Sequence, residues 1–351
     1  MKNQDLIFPI ISKKEKERKY EDMLEVLWNA KSKSEYRELE KTINNEIDRV
    51  IRVFKKNFQN KCEDIEIVYQ HEKNPYTYVY DCRGELAPLI SFTTISSRLD
   101  RVIKTVKSIK NQSYCVHSIN LYISEDPYLL DEGISKNDKM LKKIHAEGVN
   151  IYLVKNIGPY RKQLPLIFQL KSVGASNQTP FITIDDDVIY PNNIIERLMT
   201  VLEGNQYVVA HRGRKITSNG SGFSDYKKFP PPNNCLDYKN IGTGKNGIVY
   251  RLGYFPKNIN EYLGINFAPT ADDLWCKWAV GFNCIPTYIL EPEAAYKPEL
   301  DFEESEPNDK YGLYHQYNSN GINNVATQRL ELFFSNFRGV SLFDLLFNED
   351  M

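Results

Sequence analysis

Pro180-Phe181-Ile182-Thr183-Ile184-Asp185-Asp186-Asp187-Val188-Ile189-Tyr190-Pro191 is the stretch whose reading decides the fold. Residues 180–184 form a short apolar run rich in β-branched and aromatic side chains, the pattern of a buried strand. Three consecutive carboxylates follow at its C-terminal end, and Pro191 then opens a helical pattern through Ile194, Ile195, Leu198, Val201 and Leu202. In open α/β sheets, ligands bind beyond the carboxyl ends of strands. Three adjacent acids repel one another and call for a compensating cation. Oxygen ligands at this density suit Mg²⁺ or Mn²⁺, held by one or two carboxylates with phosphates completing the shell. A solvated acidic turn is the ordinary alternative, but such a turn rarely follows a buried strand so directly.

Working outward, an α/β rhythm runs from residue 89. Residues 89–94, 118–123 and 149–154 read as strands, and 98–110, 136–146 and 165–173 as helices between them. Strand–helix alternation at this spacing predicts a mainly parallel, doubly wound sheet. Beyond the acidic strand, 207–211 and 248–250 read as strands and 212–245, rich in Gly, Pro and Asn, as a long loop. Thr270-Ala271-Asp272-Asp273-Leu274-Trp275 opens a helix, where carboxylates suit the positive end of the dipole. A late strand is expected at 284–290, an acidic linker at 299–309 and an apolar-faced helix at 324–347. Upstream, 65–69 and 76–80 alternate like strands. Residues 13–58 are lysine- and glutamate-rich and helical in pattern, with a capping box at Ser32 and Glu35 and an apolar stripe from Tyr36 to Phe58. The N-terminal helices fit an accessory subdomain, a dimerising or partner-binding element, or a cover for one sheet face.

Composition narrows the classes. The 351 residues carry a net charge of −1, so nothing global favours nucleic acid or an anionic membrane. No run approaches a membrane span, and the N-terminus lacks the apolar core of a signal peptide. The six cysteines form no CxxC pair, which argues against zinc or a disulfide framework and for a cytoplasmic setting with reduced thiols. There is no GxGxxG after the first strand and no GxxxxGK[ST], which disfavours a dinucleotide enzyme and a P-loop NTPase.

Several segments could carry chemistry. Thr93 and Arg98 stand at the end of the first strand, where small hydroxyls leave room for a ligand and the guanidinium can meet phosphate. Glu125 follows the next strand and could accept from a base or ribose, although a turn is the commoner role. Arg161 and Lys162, in Gly158-Pro159-Tyr160-Arg161-Lys162, supply the charges a diphosphate needs. His211 could assist an acceptor hydroxyl, a satisfied structural histidine being its usual fate. Gly244 permits close backbone approach to a sugar. Trp275 offers an apolar platform, though tryptophans at such spacing more often pack in a core.

In their order along residues 88–290, these segments resemble the GT-A glycosyltransferases of bacterial capsule and surface-polysaccharide synthesis. The resemblance rests on Thr93 to Arg98, the GPYRK turn, Asp185-Asp186-Asp187 with Tyr190-Pro191, Ala210-His211-Arg212-Gly213, the glycine segment 242–250 and the TADDLW helix start. Where relatives have adjacent glycines, this chain has Gly244-Lys245-Asn246-Gly247. The resemblance implies a GT-A fold at 81–298, flanked by a helical accessory region at 1–80 and a linker and helical tail at 299–351. It implies a transferase that moves a sugar from a nucleotide-sugar donor to a glycan or lipid-linked glycan, probing the inner membrane face at most peripherally. Asp187 would ligate Mn²⁺ or Mg²⁺, with Asp185 reaching the metal or the ribose and Asp186 beside them in the donor site. Thr93, Arg98 and Glu125 would line the nucleotide pocket, and Arg161 and Lys162 would contact the diphosphate. Asp273 would be the general base of an inverting reaction, with Asp272 orienting the acceptor near His211, Gly244 and Trp275. The N-terminal helices could pair two copies. The alternatives are a non-catalytic glycan-binding or scaffold protein on the same fold, and a sugar-phosphate nucleotidyltransferase. The latter expects a GxGxRL-type loop where Thr93 to Arg98 stand.

Overall fold

The computed structural model describes residues 65–71, 87–220, 222–232, 234–257, 259–290, 303–304, 312–318 and 321–348. The expected N-terminal helices, the strand at 76–80 and most of the acidic linker lie outside the described residues. The first elements are β1 (Glu66–Tyr69), β2 (Leu89–Thr93), α1 (Val102–Lys110), β3 (Ser118–Ile123), α2 (Lys139–Ala146), β4 (Val149–Leu153) and α3 (Leu164–Ser172). They alternate because each helix buries one stripe on a strand that is itself apolar. In α1, for example, Val102, Val106 and Ile109 face inward while its lysines stay in water. Helix α2 starts where the Asp138 carboxylate accepts the Met140 N–H at 2.8 Å, a side-chain cap.

The deciding stretch becomes β5 (Pro180–Thr183), a tight turn through the three acids, and the two-residue strand β6 (Val188–Ile189), followed by α4 (Ile194–Leu202). Next come β7 (Val208–Ala210), β8 (Gly213–Lys215), β9 (Cys235–Asp237), β10 (Asn240–Gly242) and β11 (Ile248–Arg251). The region expected as one long loop therefore contains three short strands. Three residues span too little of the two-residue period to be read from sequence, and pairing of β8 with β10 makes them strands. The chain continues through α5 (Asp272–Gly281), β12 (Thr287–Ile289), β13 (Glu303–Glu304), α6 (Leu313–Gln316), α7 (Ile322–Arg338) and α8 (Leu342–Phe347).

The main sheet has the order β1-β4-β3-β2-β5-β11-β7-β12-β9. Strands β2, β3, β4 and β5 are parallel, and β7 and β12 run with them, while β1, β11 and β9 run against. Helices cover both faces. Alternate residues of each strand feed two cores: Phe181 and Val208 belong to one, Ile182 and Val209 to the other. This is a doubly wound α/β fold with a mixed sheet. The antiparallel β11 between β5 and β7 is what the strand–helix rhythm does not reveal.

The chain builds outward from β2 through β3 to β4, then returns to place β5 on the other side of β2. The reversal opens a crevice at the carboxyl ends of β2 and β5, where Thr93 and Asp185 emerge. The C-terminal tail joins the same core. Leu330, Phe333 and Phe334 of α7 are buried, and Phe333 stacks on Phe267 at 4.9 Å. The single helix expected at 324–347 is divided at Gly339, whose φ of 68° ends α7 in the left-handed region that glycine tolerates.

Candidate active site

A cleft of about 520 Å³ lies at the crevice, within the range of small-molecule sites. Thr93, Arg98, Arg161, Lys162, Asp185, Asp186, Asp187, Gly244, Asp272 and Asp273 all line it. Glu125, His211 and Trp275 do not.

The three acids differ sharply in their surroundings. Asp186 is buried: its carboxylate accepts from Thr94 Oγ1 at 2.5 Å and Arg98 Nη1 at 3.0 Å, and its carbonyl accepts from Thr105 Oγ1 at 2.9 Å. It holds the turn. Asp187 keeps 30% of its side chain accessible and meets the same Arg98 nitrogen at 3.3 Å. Burial, then repulsion from Asp186 and Asp185, push the Asp187 carboxyl up to about 7, against the pull of Arg98 and Lys245. Asp185 is partly exposed; its backbone N–H donates to Tyr190 Oη at 3.0 Å, and that hydroxyl donates to the Lys245 carbonyl at 3.0 Å. Tyr190 thereby ties the acidic turn to the glycine segment.

Lys162 stands at the centre. Its ammonium lies 3.1 Å from Asp185 Oδ1 and 2.9 Å from Asp272 Oδ2. Burial alone would lower its pKa, but Asp185, Asp272 and Asp273 outweigh it and hold the ammonium well above its ordinary value. Across the gap, the Gly244 N–H donates to Asp273 Oδ2 at 3.1 Å. A Cβ at Gly244 would lie 2.7 Å from Lys162 Nζ, 3.3 Å from Asp273 Oδ1 and 3.4 Å from Asp185 Oδ1. Glycine is needed here because both acidic groups and the ammonium converge on its α-carbon. Burial, then Asp272, push the Asp273 carboxyl up to about 7, opposed by Lys162.

Arg161 lines the cleft wall and spends two of its three guanidinium nitrogens on the protein, Nη1 being buried without a hydrogen-bond partner among the described residues. Nη2 donates to Asp131 Oδ2 at 2.7 Å and to the Thr94 carbonyl at 3.2 Å, and Nε to the Gly158 carbonyl at 3.3 Å. Its position argues for bracing the end of β2. Thr93 donates through Oγ1 to the Tyr122 carbonyl at 2.8 Å. Glu125 is exposed and accepts the Lys136 N–H at 2.9 Å, while the cleft wall after β3 is built by Tyr128, Leu129, Leu130 and Asp131. His211 and Trp275 are buried in the protein. Trp275 packs against Tyr262 at 5.5 Å and Tyr160 at 5.9 Å, so its ring serves the core.

Sequence reasoning did not anticipate Asp131, Arg212, Arg214, Tyr226, Thr270, Asn318 or Asn323 in the cleft. Asn318 exchanges two hydrogen bonds with Thr270, at 2.8 and 2.9 Å, so the C-terminal segment forms one wall. The signal available was the spacing in Arg212-Gly213-Arg214, two residues apart as the chain enters β8, which places both arginines on one side of an extended segment.

The carboxylates fit a hard divalent cation. Burial and the crowding of Asp185 and Asp186 raise the Asp187 carboxyl, a state that a cation bound at the turn would relieve. Among the described residues no three His, Cys, Asp or Glu side chains converge to enclose a metal.

Two outcomes follow from these contacts. Lys162→Met leaves the Asp185 and Asp272 carboxylates without their shared cation and is expected to cost about 3–5 kcal/mol in urea unfolding, as when one partner of a buried pair is removed. At His211, burial and then Arg197 push the imidazole down to about 3. The unfolded chain takes up that proton near pH 6.5 and the folded protein only near pH 3. Stability from this residue is therefore intact above pH 6.5 and falls by about 1.4 kcal/mol per unit below it. Urea midpoints of His211→Gln should decline less steeply than those of the unmodified protein between pH 6.5 and 4.5.

No helix among the described residues is long and apolar enough to cross a membrane. No protein-family model matches the chain, and no curated protein matches it. Among solved structures it is similar, at 12% identity and TM-score 0.37, to 4-diphosphocytidyl-2C-methyl-D-erythritol synthase, over 61% of this chain and 92% of that one. It is similar, at 14% identity and TM-score 0.36, to S. aureus TarS 1-349 in complex with UDP, over 58% of each chain. A further structure of TarS 1-349 matches over 72% of this chain and 73% of that one, at 14% identity and TM-score 0.35.

Proposed function

We propose that this protein is a metal-dependent glycosyltransferase that moves a sugar from a nucleotide-sugar donor to a glycan hydroxyl with inversion, in surface-polysaccharide synthesis. One observation carries the proposal: the acidic turn after β5 and the acid pair opening α5 face one cleft and meet at Lys162 and Gly244. A cation site alone would need the first group only. A second carboxylate, held by a backbone N–H beside the first group, is what deprotonating an incoming hydroxyl requires.

Mn²⁺ or Mg²⁺ held by Asp187 and Asp185 would supply charge neutralisation for the departing diphosphate. Thr93, Thr94 and Arg98 shape the nucleotide end. Lys162 places a fixed positive charge beside the diphosphate and pairs with Asp272 at 2.9 Å. Asp273, with Oδ2 held by Gly244, takes the acceptor's proton as the hydroxyl oxygen bonds to the anomeric carbon. The bond from that carbon to the diphosphate oxygen breaks, and its electron pair leaves with the nucleoside diphosphate.

Thermal unfolding against nucleoside diphosphates, nucleotide sugars and nucleoside triphosphates, with Mn²⁺ or with EDTA, tests the donor site. A ligand at about 100 Kd stabilises the folded state by about 2.7 kcal/mol. A metal-dependent rise with one nucleoside diphosphate and its sugar is expected. No rise at saturation overturns the proposal, and stabilisation by a triphosphate alone would favour a nucleotidyltransferase.

A further inference from the structure

We propose that the end of the cleft beyond Asp273 is an acceptor subsite for an anionic glycan, one bearing a phosphate or carboxylate, recognised by Arg212 and Arg214. The inference rests on the transferase assignment for the word acceptor, but its residues are separate from those that would hold the donor.

The sheet order separates the two ends. Strand β2, which delivers Thr93 and Arg98, lies on one side of β5, and β7, which leads into Arg212, lies on the other beyond β11. With strands about 4.8 Å apart, β2 and β7 stand about 14 Å from each other. Asp185, at the end of β5, stands between these two ends of the cleft.

The arginines are placed by the backbone. Gly213 is pressed onto the sheet: a Cβ there would lie 2.3 Å from the Ile241 carbonyl oxygen and 2.5 Å from Ile289 Cδ1. Alternation then directs Arg212 and Arg214 to the opposite face, and both line the cleft. The Arg212 carbonyl accepts the Thr243 N–H at 3.0 Å, one residue before the glycine that holds Asp273. Arg214 lies with its guanidinium 5.5 Å from the Tyr226 ring centre and donates to the Phe229 carbonyl at 3.1 Å. Stacking of this kind fixes the guanidinium plane, which a bidentate contact to phosphate or carboxylate exploits.

A second observation points to a ligand at the same place. Asn323, at the start of α7, is only 7% exposed and lines the cleft. Its backbone carbonyl is taken by Thr327 Oγ1 at 2.8 Å, while its side-chain amide, not sealed from solvent, can meet a group in the cleft. The next residue, Asn324, accepts the Tyr226 N–H at 2.7 Å, so the helix start is locked against the arginine platform. A sugar hydroxyl between Asn323 and Tyr226 would bond to the amide, and the two guanidiniums would meet an acidic substituent beside it.

Binding to the full chain can be read by saturation-transfer NMR with glucose 6-phosphate, glucuronate and glucose as probes. Both acids, or one of them, should bind about tenfold more tightly than glucose, with the preference shrinking as salt rises. Whichever acid binds better distinguishes a phosphate-bearing from a carboxylate-bearing acceptor. The double variant Arg212→Gln/Arg214→Gln should bind all three alike while keeping its metal-dependent stabilisation by nucleotide. Equal binding of acids and glucose by the unmodified protein overturns the subsite, as does an acid preference that survives the double variant. If the nucleotide response is absent but the arginine-dependent acid preference is present, the donor assignment fails and the anionic glycan site stands.

Discussion

Asp273→Asn is expected to lower turnover of the donor by about 10²–10⁴-fold, the usual contribution of a positioned general base. The amide keeps the side chain's size and can still accept the Gly244 N–H, so the cleft should retain its shape. What it loses is the capacity to take a proton from the acceptor hydroxyl. Nucleotide binding should be unchanged, because the acid turn after β5 is untouched. The measurement is release of nucleoside diphosphate in the presence of acceptor, alongside the thermal shift with nucleotide and Mn²⁺. Near-normal turnover would remove Asp273 from the chemistry. Loss of the nucleotide response with it would instead mean that the acid pair serves the donor. Asp272→Asn separates the neighbours: its carboxylate faces Lys162 at 2.9 Å, so its removal should act on stability as well as on rate.

Asp187→Ala is expected to abolish the metal-dependent stabilisation by nucleotide, which at about 100 Kd amounts to about 2.7 kcal/mol. The metal-free variant should also melt at a higher temperature than the unmodified protein near pH 8. The sign follows from the raised carboxyl: folded Asp187 holds its proton to about pH 7, whereas the unfolded chain releases it near 3.9. Stability therefore falls as pH rises through that interval, and above it the ionised side chain opposes folding. Removing the carboxyl relieves that opposition while destroying the function it serves. Calorimetry with EDTA and with Mn²⁺ plus nucleotide reads both effects. Retained metal-dependent binding would exclude Asp187 as a ligand, and a lower metal-free melting temperature would mean that the side chain is structural. Asp186→Ala should behave oppositely and destabilise under all conditions, since Thr94 and Arg98 lose a buried partner. Two adjacent, chemically identical residues thus differ in consequence through their surroundings alone.

The composition of residues 180–191 was sufficient to locate β5, the acid turn and the helix after it. A buried strand and an amphipathic helix are patterns of neighbours along the chain. The same holds for β2 to β4 and their helices, and for the acid pair opening α5. Local sequence also singled out the residues that line the cleft at Arg98, Lys162, Gly244 and Asp273. It could not divide their labour. Arg161 and Lys162 are adjacent cations in one turn, yet one is spent on Asp131 and the other stands between the two acidic groups. Glu125 and Trp275 carry the right chemical groups, but one faces solvent beside Lys136 and the other is enclosed by aromatic rings.

Tertiary structure alone decided the rest, because pairing and burial depend on partners far apart in sequence. The antiparallel β11 sits between β5 and β7 only because the chain returns after some sixty residues, and no local period records that. Strands β8 to β10 exist by pairing, since three residues lack a pattern of their own. Asn318 and Asn323 entered the cleft because α7 buries Leu330, Phe333 and Phe334 in the same core as α5. From the sequence come the strands, the helices and the stock of acids and bases; the distances among them, which decide what those groups can do, belong to the folded chain.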